Sequence, residues 1–140
     1  MYYFDSLPQT VQSYFAAAQG FANHEFLTEF PGTLRKTPLT KTIVSFGLGQ
    51  VEITQPTDED GATVYDSFHE CSAELKFTIH APRSFGGSAL YLTLAKIADG
   101  LLNRINGINV EEFTSSGLKY DSYSDSVKLE GKAVVRQNIS

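Results

Sequence analysis

The stretch that most restricts how this chain can fold runs from Ala73 to Asn106. Ala73, Leu75, Phe77 and Ile79 alternate with Glu74, Lys76, Thr78 and His80, which puts the two sets on opposite faces of a strand. Pro82 closes that strand, and Arg83-Ser84-Phe85-Gly86-Gly87 turns the chain. Leu90, Leu94, Ile97, Leu101 and Ile105 then recur every three or four residues, a spacing that lines one side of an α-helix. Ser88 is placed as its N-cap, Tyr91 and Ala98 widen the apolar side, and Asn106-Gly107 offers a left-handed stop. Gly100 weakens such a helix by about 1 kcal/mol relative to Ala, less than the aligned aliphatic side chains contribute. The expectation is a long helix, about 88–106, laid across a sheet.

The remaining segments supply that sheet and a second helix. Ser6-Leu7-Pro8-Gln9 reads as a helix start, with Ser6 as cap, Pro8 in the first turn and Gln9 reaching back. Leu7, Val11, Tyr14, Phe15 and Ala18 follow on one face, ending near Gly20. Phe21 to Lys41 lacks periodicity and holds Pro31-Gly32 and Pro38, so it reads as irregular connection with at most a short turn of helix. Thr42–Thr54 is a strand in which Gly47 and Gly49 signal a bulge or close backbone approach. Gln55–Gly61 is an acidic turn, and a strand resumes at Thr63 or Val64 and leads into Ala73–Ile79. Ile108–Tyr123 reads as a strand with a loose middle at Thr114–Gly117, followed by a turn at Ser124-Asp125. In the last strand, Val127, Leu129, Ala133 and Val135 face inward and Lys128, Glu130, Lys132 and Arg136 outward. Hairpin-length connections favour antiparallel pairing, so the expected class is α+β: a mainly antiparallel twisted sheet with the long helix and an N-terminal helix packed on it.

A chain of 140 residues fits one domain, 1–140, with a core large enough to need no staples. No apolar run approaches the roughly 20 residues that span a bilayer, so no membrane partner is expected. Met1-Tyr2-Tyr3-Phe4-Asp5 lacks the basic, apolar start of a signal peptide, which points to folding in the cytoplasm. Cys71 is the single cysteine, so no internal disulfide can form. A net charge of −5 opposes non-specific affinity for phosphates, and no sequence-specific nucleic-acid binding is expected. Arg35, Lys36 and Lys41 form the densest basic cluster and read as a solvated loop.

Several residues invite a chemical reading. His69, Cys71 and His80 are metal-ligand types, but His80 lies on the opposite parity and no fourth ligand is near in sequence. A buried cysteine acting as a small apolar residue is the simpler account, and a Cys71–His69 dyad lacks a group to orient the base. Asp58, Glu59 and Asp60 suggest part of a calcium loop without its ligand spacing or distal Glu, so they read as a hairpin tip. Ser84–Ser88 precedes a helix N-terminus yet carries neither phosphate-binding glycine pattern. His24-Glu25 sits in irregular chain with no partner visible in the sequence. No catalytic residue, metal site or cofactor is expected.

From about Gln50 to Gln137 the chain resembles the tail-terminator (tail completion) proteins of long-tailed bacteriophages and prophages. The resemblance is carried by the charged strand Glu74–His80 feeding Ala81-Pro82, the long helix Ala89–Asn106, a further strand, the polar turn Leu118-Lys119-Tyr120-Asp121-Ser122-Tyr123-Ser124-Asp125, and the closing strand Val127–Val135. It implies a non-enzymatic protein forming a ring, typically of six copies, that caps the tail tube and meets the head connector protein. It also implies assembly in the host bacterial cytoplasm before incorporation into the virion tail. Arg83 and Phe85 are then candidates for the subunit interface, and Asp58, Glu59 and Asp60 for an acidic loop facing the lumen. Two other readings compete: another head–tail neck or minor tail protein, or a small-ligand-binding domain that uses the groove between sheet and helix.

Overall fold

The alternation around Ala73–Ile79 belongs to a longer strand in a computed structural model that describes residues 4–21, 24–28, 41–54, 69–105, 107–122 and 125–139, excepting the side chains of 54, 69, 70 and 137–139. The elements are α1 (Leu7–Ala17), β1 (His24–Leu27), β2 (Thr42–Thr54), β3 (His69–Pro82), α2 (Gly87–Asp99), β4 (Asn109–Ser115), β5 (Lys119–Asp121) and β6 (Ser126–Ile139). One sheet takes the order β1-β2-β3-β6-β4, with β5 also paired to β6. Every described pair is antiparallel except β1–β2. The α+β class therefore holds, with one parallel pair at the edge.

β3 and β6 pair along their whole lengths, from His69↔Ile139 to Pro82↔Ser126. Because side chains alternate, that register places Ala73, Leu75, Phe77, Ile79 and Ala81 beside Leu129, Ala133 and Val135 on the core face, all of them buried. The opposite face carries paired charges: Lys132 Nζ is 3.5 Å from Glu74 and Lys128 Nζ 3.3 Å from Glu130. Val44 and Phe46 of β2 continue the core face. The bulge expected from Gly47 and Gly49 is present as a register shift between Leu48 and Val51. A Cβ at Gly49 would lie 2.6 Å from Lys76 Cε, so close approach accompanies the shift.

The helices lie on the core face. Leu7, Val11 and Phe15 are the buried positions of α1. Phe15 stacks on Phe26 and Phe46, with centroids 5.9 and 5.8 Å away, and Phe21 meets it edge-on at 5.6 Å. Ser6 holds the N-cap position without a side-chain capping bond, and Gln9 donates to Ser13 rather than reaching back. α2 buries Leu90, Thr93 and Ile97. Its start and finish differ from expectation. Gly86, at φ 83°, is the cap residue and Ser88 is already helical; the regular helix ends at Asp99 and continues as a π-helical turn, Gly100–Arg104. The Ile105 amide donates to the Gly100 carbonyl at 2.9 Å, five residues back. The extra residue keeps Leu101 buried, and Gly107 at φ 84° supplies the expected left-handed conformation. Gly100 is fixed by packing, because a Cβ there would lie 2.5 Å from Phe15 Cζ.

Segment 21–41 is not wholly irregular. His24–Leu27 pairs in parallel with Thr42–Ser45, and Gln12 Nε2 donates to the Phe26 carbonyl at 2.9 Å. Four residues with a distant parallel partner leave no alternation long enough to read from sequence. Pro31-Gly32, Arg35, Lys36, Pro38 and the strand start at Thr63 or Val64 lie outside the described residues.

Candidate functional site

The two helices make their main contacts with four of the six strands. α1 lies over β1 and β2, and α2 over β3 and β6. On the β4–β5 side the helix layer stops, and apolar side chains stay open. Phe85, Tyr91, Leu102, Leu118 and Tyr120 are between 39% and 55% exposed. The Arg83 guanidinium lies 5.8 Å from the centre of the Tyr120 ring. Leu118 closes over Gly87, where a Cβ would come within 2.6 Å of its Cδ1. From Gly87, Tyr91, Ala98 and Leu102 follow at helical spacing along one flank of α2 and its π-helical turn. Tyr91 was expected to widen the buried side; it stands instead on this open flank, about 100° round the helix from Leu90.

The turn at the head of this patch is held by polar bonds. The Arg83 amide donates to the Asp125 carbonyl at 3.2 Å, and Arg83 Nε lies 3.2 Å from Asp125 Oδ1. Tyr120 donates its hydroxyl to the same carboxylate oxygen at 2.7 Å, and that bond, chiefly, pushes the phenol's pKa up. Asp125 takes φ 46°, a left-handed conformation that Asp tolerates in a turn. The expected Ser124-Asp125 turn is thus seen through Asp125, Ser124 lying outside the described residues.

Beneath the turn lies a constellation that sequence reading did not assemble. Ser126 Oγ and His80 Nε2 are hydrogen-bonded at 2.5 Å, and Asp121 Oδ2 is 3.8 Å from the same nitrogen. A nucleophilic triad needs Ser and Asp on different ring nitrogens and an accessible hydroxyl. Here both address Nε2, and Ser126 is fully buried. The trio instead ties β3, β5 and β6 together under the Arg83–Asp125 turn. Two of its members come from the polar turn and the last strand, joined to His80 by the β3–β6 and β5–β6 registers.

The other sequence candidates are placed as follows. Cys71 is buried, which raises its thiol pKa, and it sits across from Ile53. His80 lies on the other face, and the described residues contain no cluster of three metal-ligand types. His24 and Glu25, for which the sequence shows no partner, have one each in the fold: Thr93 Oγ1 is 2.9 Å from His24 Nε2, and Lys41 Nζ 3.2 Å from Glu25. In the glycine turn Leu118 covers Gly87, while nothing among the described residues lies within 4 Å of a Cβ at Gly86. Asp58, Glu59 and Asp60 lie outside the described residues.

A groove of about 650 Å³ runs between α1 and the end of α2, lined among others by Tyr14, Phe21, Lys96, Asp99 and Arg104. Several of its polar groups have partners within the chain. Lys96 donates to the Gly20 carbonyl at 2.6 Å, and Asp99 accepts from Arg104 at 2.6 Å and Asn103 at 3.0 Å. Those bonds, Arg104's first, hold the Asp99 carboxyl below the usual range.

No protein-family model matches this chain, and no curated protein does. Among solved structures its fold is similar to a chain of the virion of a native gene transfer agent (GTA) particle. The TM-score is 0.53 at 14% identity, over 94% of this chain and 95% of that one. At that identity the likeness is one of fold. Among the described residues no helix is long and apolar enough to cross a membrane.

Proposed function

We propose that this chain is a structural protein of a phage-like particle: a tail terminator that closes into a ring, caps the tail tube and meets the head connector. The supporting observation is a fold shared from end to end with a chain of the gene transfer agent virion. The tail-terminator layout read from sequence corresponds to β3, α2, β4, β5 and β6 in order. Arg83 and Phe85, the candidate interface residues, belong to the exposed apolar patch, which suits a contact between copies. Asp58, Glu59 and Asp60 take the lumen-facing role in this reading, where acidic side chains let DNA slide without sticking.

Light scattering of the purified chain, alone and with a tail-tube protein, tests the proposal. The expected result is a discrete ring of about six copies, or a monomer that assembles when tube protein is added. A strict monomer that ignores the tube would overturn it, and binding only to a head connector would favour another neck component. The groove between α1 and α2 supports a second reading, a small-ligand site. That reading predicts a monomer whose melting temperature rises with a small aromatic carboxylate, the chemistry that Tyr14, Phe21 and Lys96 would accommodate.

A further inference from the structure

Among the described residues the exposed large apolar side chains are not scattered. Apart from Leu92, which faces away from the sheet on α2, they occupy two places at opposite sides of it. One is the flank described above, from Tyr120 and Leu118 along α2 to Leu102. The other is the outer half of β2, where Leu48 and Ile53 are exposed. β1 pairs only with Thr42–Ser45, so along Phe46–Thr54 the outer edge of β2 has no strand partner among the described residues. The Gln50 amide there is taken by Glu74; an edge without a strand partner otherwise offers backbone groups as well as apolar side chains to a second chain.

We propose that copies of this chain associate head to tail, the α2–β5 flank of one covering the free half of β2 in the next. The proposal rests on reading the chain as a self-assembling structural protein and names the two surfaces that meet. The area favours a second copy as the occupant. Five large side chains half open to water present on the order of 500 Å² of apolar surface, at the upper end of what a monomer leaves exposed. With its polar rim, that surface approaches the roughly 800 Å² per partner of a stable interface. The placement favours a heterologous contact. Two different patches on opposite sides of one subunit cannot bury each other within it, whereas a rotation that repeats their contact buries both in every copy and closes a ring. An isologous dimer through the flank alone would leave the β2 edge uncovered.

Sedimentation velocity on two variants tests this. Tyr91→Asp spoils the flank, Ile53→Lys spoils the edge, and Thr10→Glu, on the solvent side of α1, is the control. The wild type and the control should assemble alike. Each patch variant should associate at least ~30-fold more weakly, the scale of losing an interface anchor. Mixed one to one, the two patch variants should form a heterodimer and nothing larger, because one intact flank and one intact edge remain between them. Failure of the mixture to pair, normal assembly by either variant, or a wild type still monomeric at ~1 mM would overturn the proposal. Hydrogen exchange on the wild type gives a readout free of substitutions: amides in 46–54 and 87–102 should gain protection together as concentration rises, and protection of only one set would overturn it. A ring that ignores tail tube would refute the tail-end role and leave this contact standing. Tube capping by rings that survive both substitutions would do the reverse.

Discussion

The two ends of the helix layer rest on the same sheet face and are finished differently. Over β1 and β2, Phe15, Phe21, Phe26 and Phe46 close on one another with centroids 5.2–6.3 Å apart, and Gly100 lets α2 approach until Phe15 fills the space. Over β4 and β5 the corresponding places hold Tyr91, Leu102, Leu118 and Tyr120, with no third helix among the described residues to cover them. The chain has aromatic and aliphatic residues enough at both ends. What differs is whether the partner surface lies within the same subunit. The sealed end therefore carries the stability of the fold, and the open end is free to carry association.

The sharpest way to break this contrast is to empty the sealed end. Phe15→Ala removes the ring on which three other phenylalanines pack, and should cost about 3–5 kcal/mol in urea denaturation. A loss below about 1 kcal/mol would mean that the cluster is loosely packed and that the two ends are not as different as drawn. Gly100→Ala comes next. Alanine gains about 1 kcal/mol of helix propensity, yet its Cβ would meet Phe15 at 2.5 Å and Tyr14 at 3.3 Å. Overpacking of that kind costs about 1–3 kcal/mol, so the net change should be a moderate destabilisation in the same assay. A stabilised variant would show that the close crossing of α1 and α2 is not what fixes this glycine.

Leu102→Gln, on the open flank, should change the stability of the monomer by no more than about 0.5 kcal/mol while weakening self-association. The pairing of a silent unfolding curve with a lost oligomer is the signature of a surface kept for a partner. A large loss of monomer stability would instead assign Leu102 to the core.

Legibility in the sequence follows the range of the interactions. β3 and β6 could be read from alternation because each buries one face, and α2 from its aliphatic stripe. β1 could not, since its four residues are specified by a parallel partner and by Phe26 entering an aromatic cluster built from α1 and β2. The end of α2 was misjudged because the contact that fixes Gly100 comes from Phe15, far off in the chain; sequence shows the glycine and hides the reason. Arg83 and Phe85 stand in the turn before a helix, and the structure adds Tyr120 beside Arg83 and Leu118 over Gly87. A signal for the open flank was available. Tyr91, Ala98 and Leu102 repeat the spacing of Leu90, Ile97 and Leu101 in the buried stripe, so the helix is apolar on more of its circumference than one sheet can cover. The Ser126–His80–Asp121 trio had no such signal, because the β3–β6 and β5–β6 registers bring it together.

The smallest expected effect separates the two ends by pH. At the sealed end, Asp99 accepts from Arg104 and Asn103 across the junction of α2 with its π-helical turn, and its carboxyl pKa is lowered. A lowered folded-state pKa contributes stability above the unfolded value, near 4 for Asp, that fades as pH falls through the folded value. At the open end the Tyr120 phenol is raised, chiefly by donating to Asp125, so its contribution is complete below the unfolded value, near 10, and fades as pH rises through the folded one. Both groups are well exposed, so solvent keeps each contribution small. Asp99→Asn should therefore differ from wild type in urea denaturation at pH 7 and converge with it toward pH 3. Tyr120→Phe should differ at pH 8 and converge at strongly alkaline pH. A gap that stays constant with pH at either end would show that the hydrogen bond there does not brace the fold. The Tyr120 result carries a further consequence, since the Asp125 carboxylate also positions Arg83 at the head of the open flank. If the bond holds that turn in place, raising the pH through the phenol's pKa should loosen self-association before it loosens the monomer.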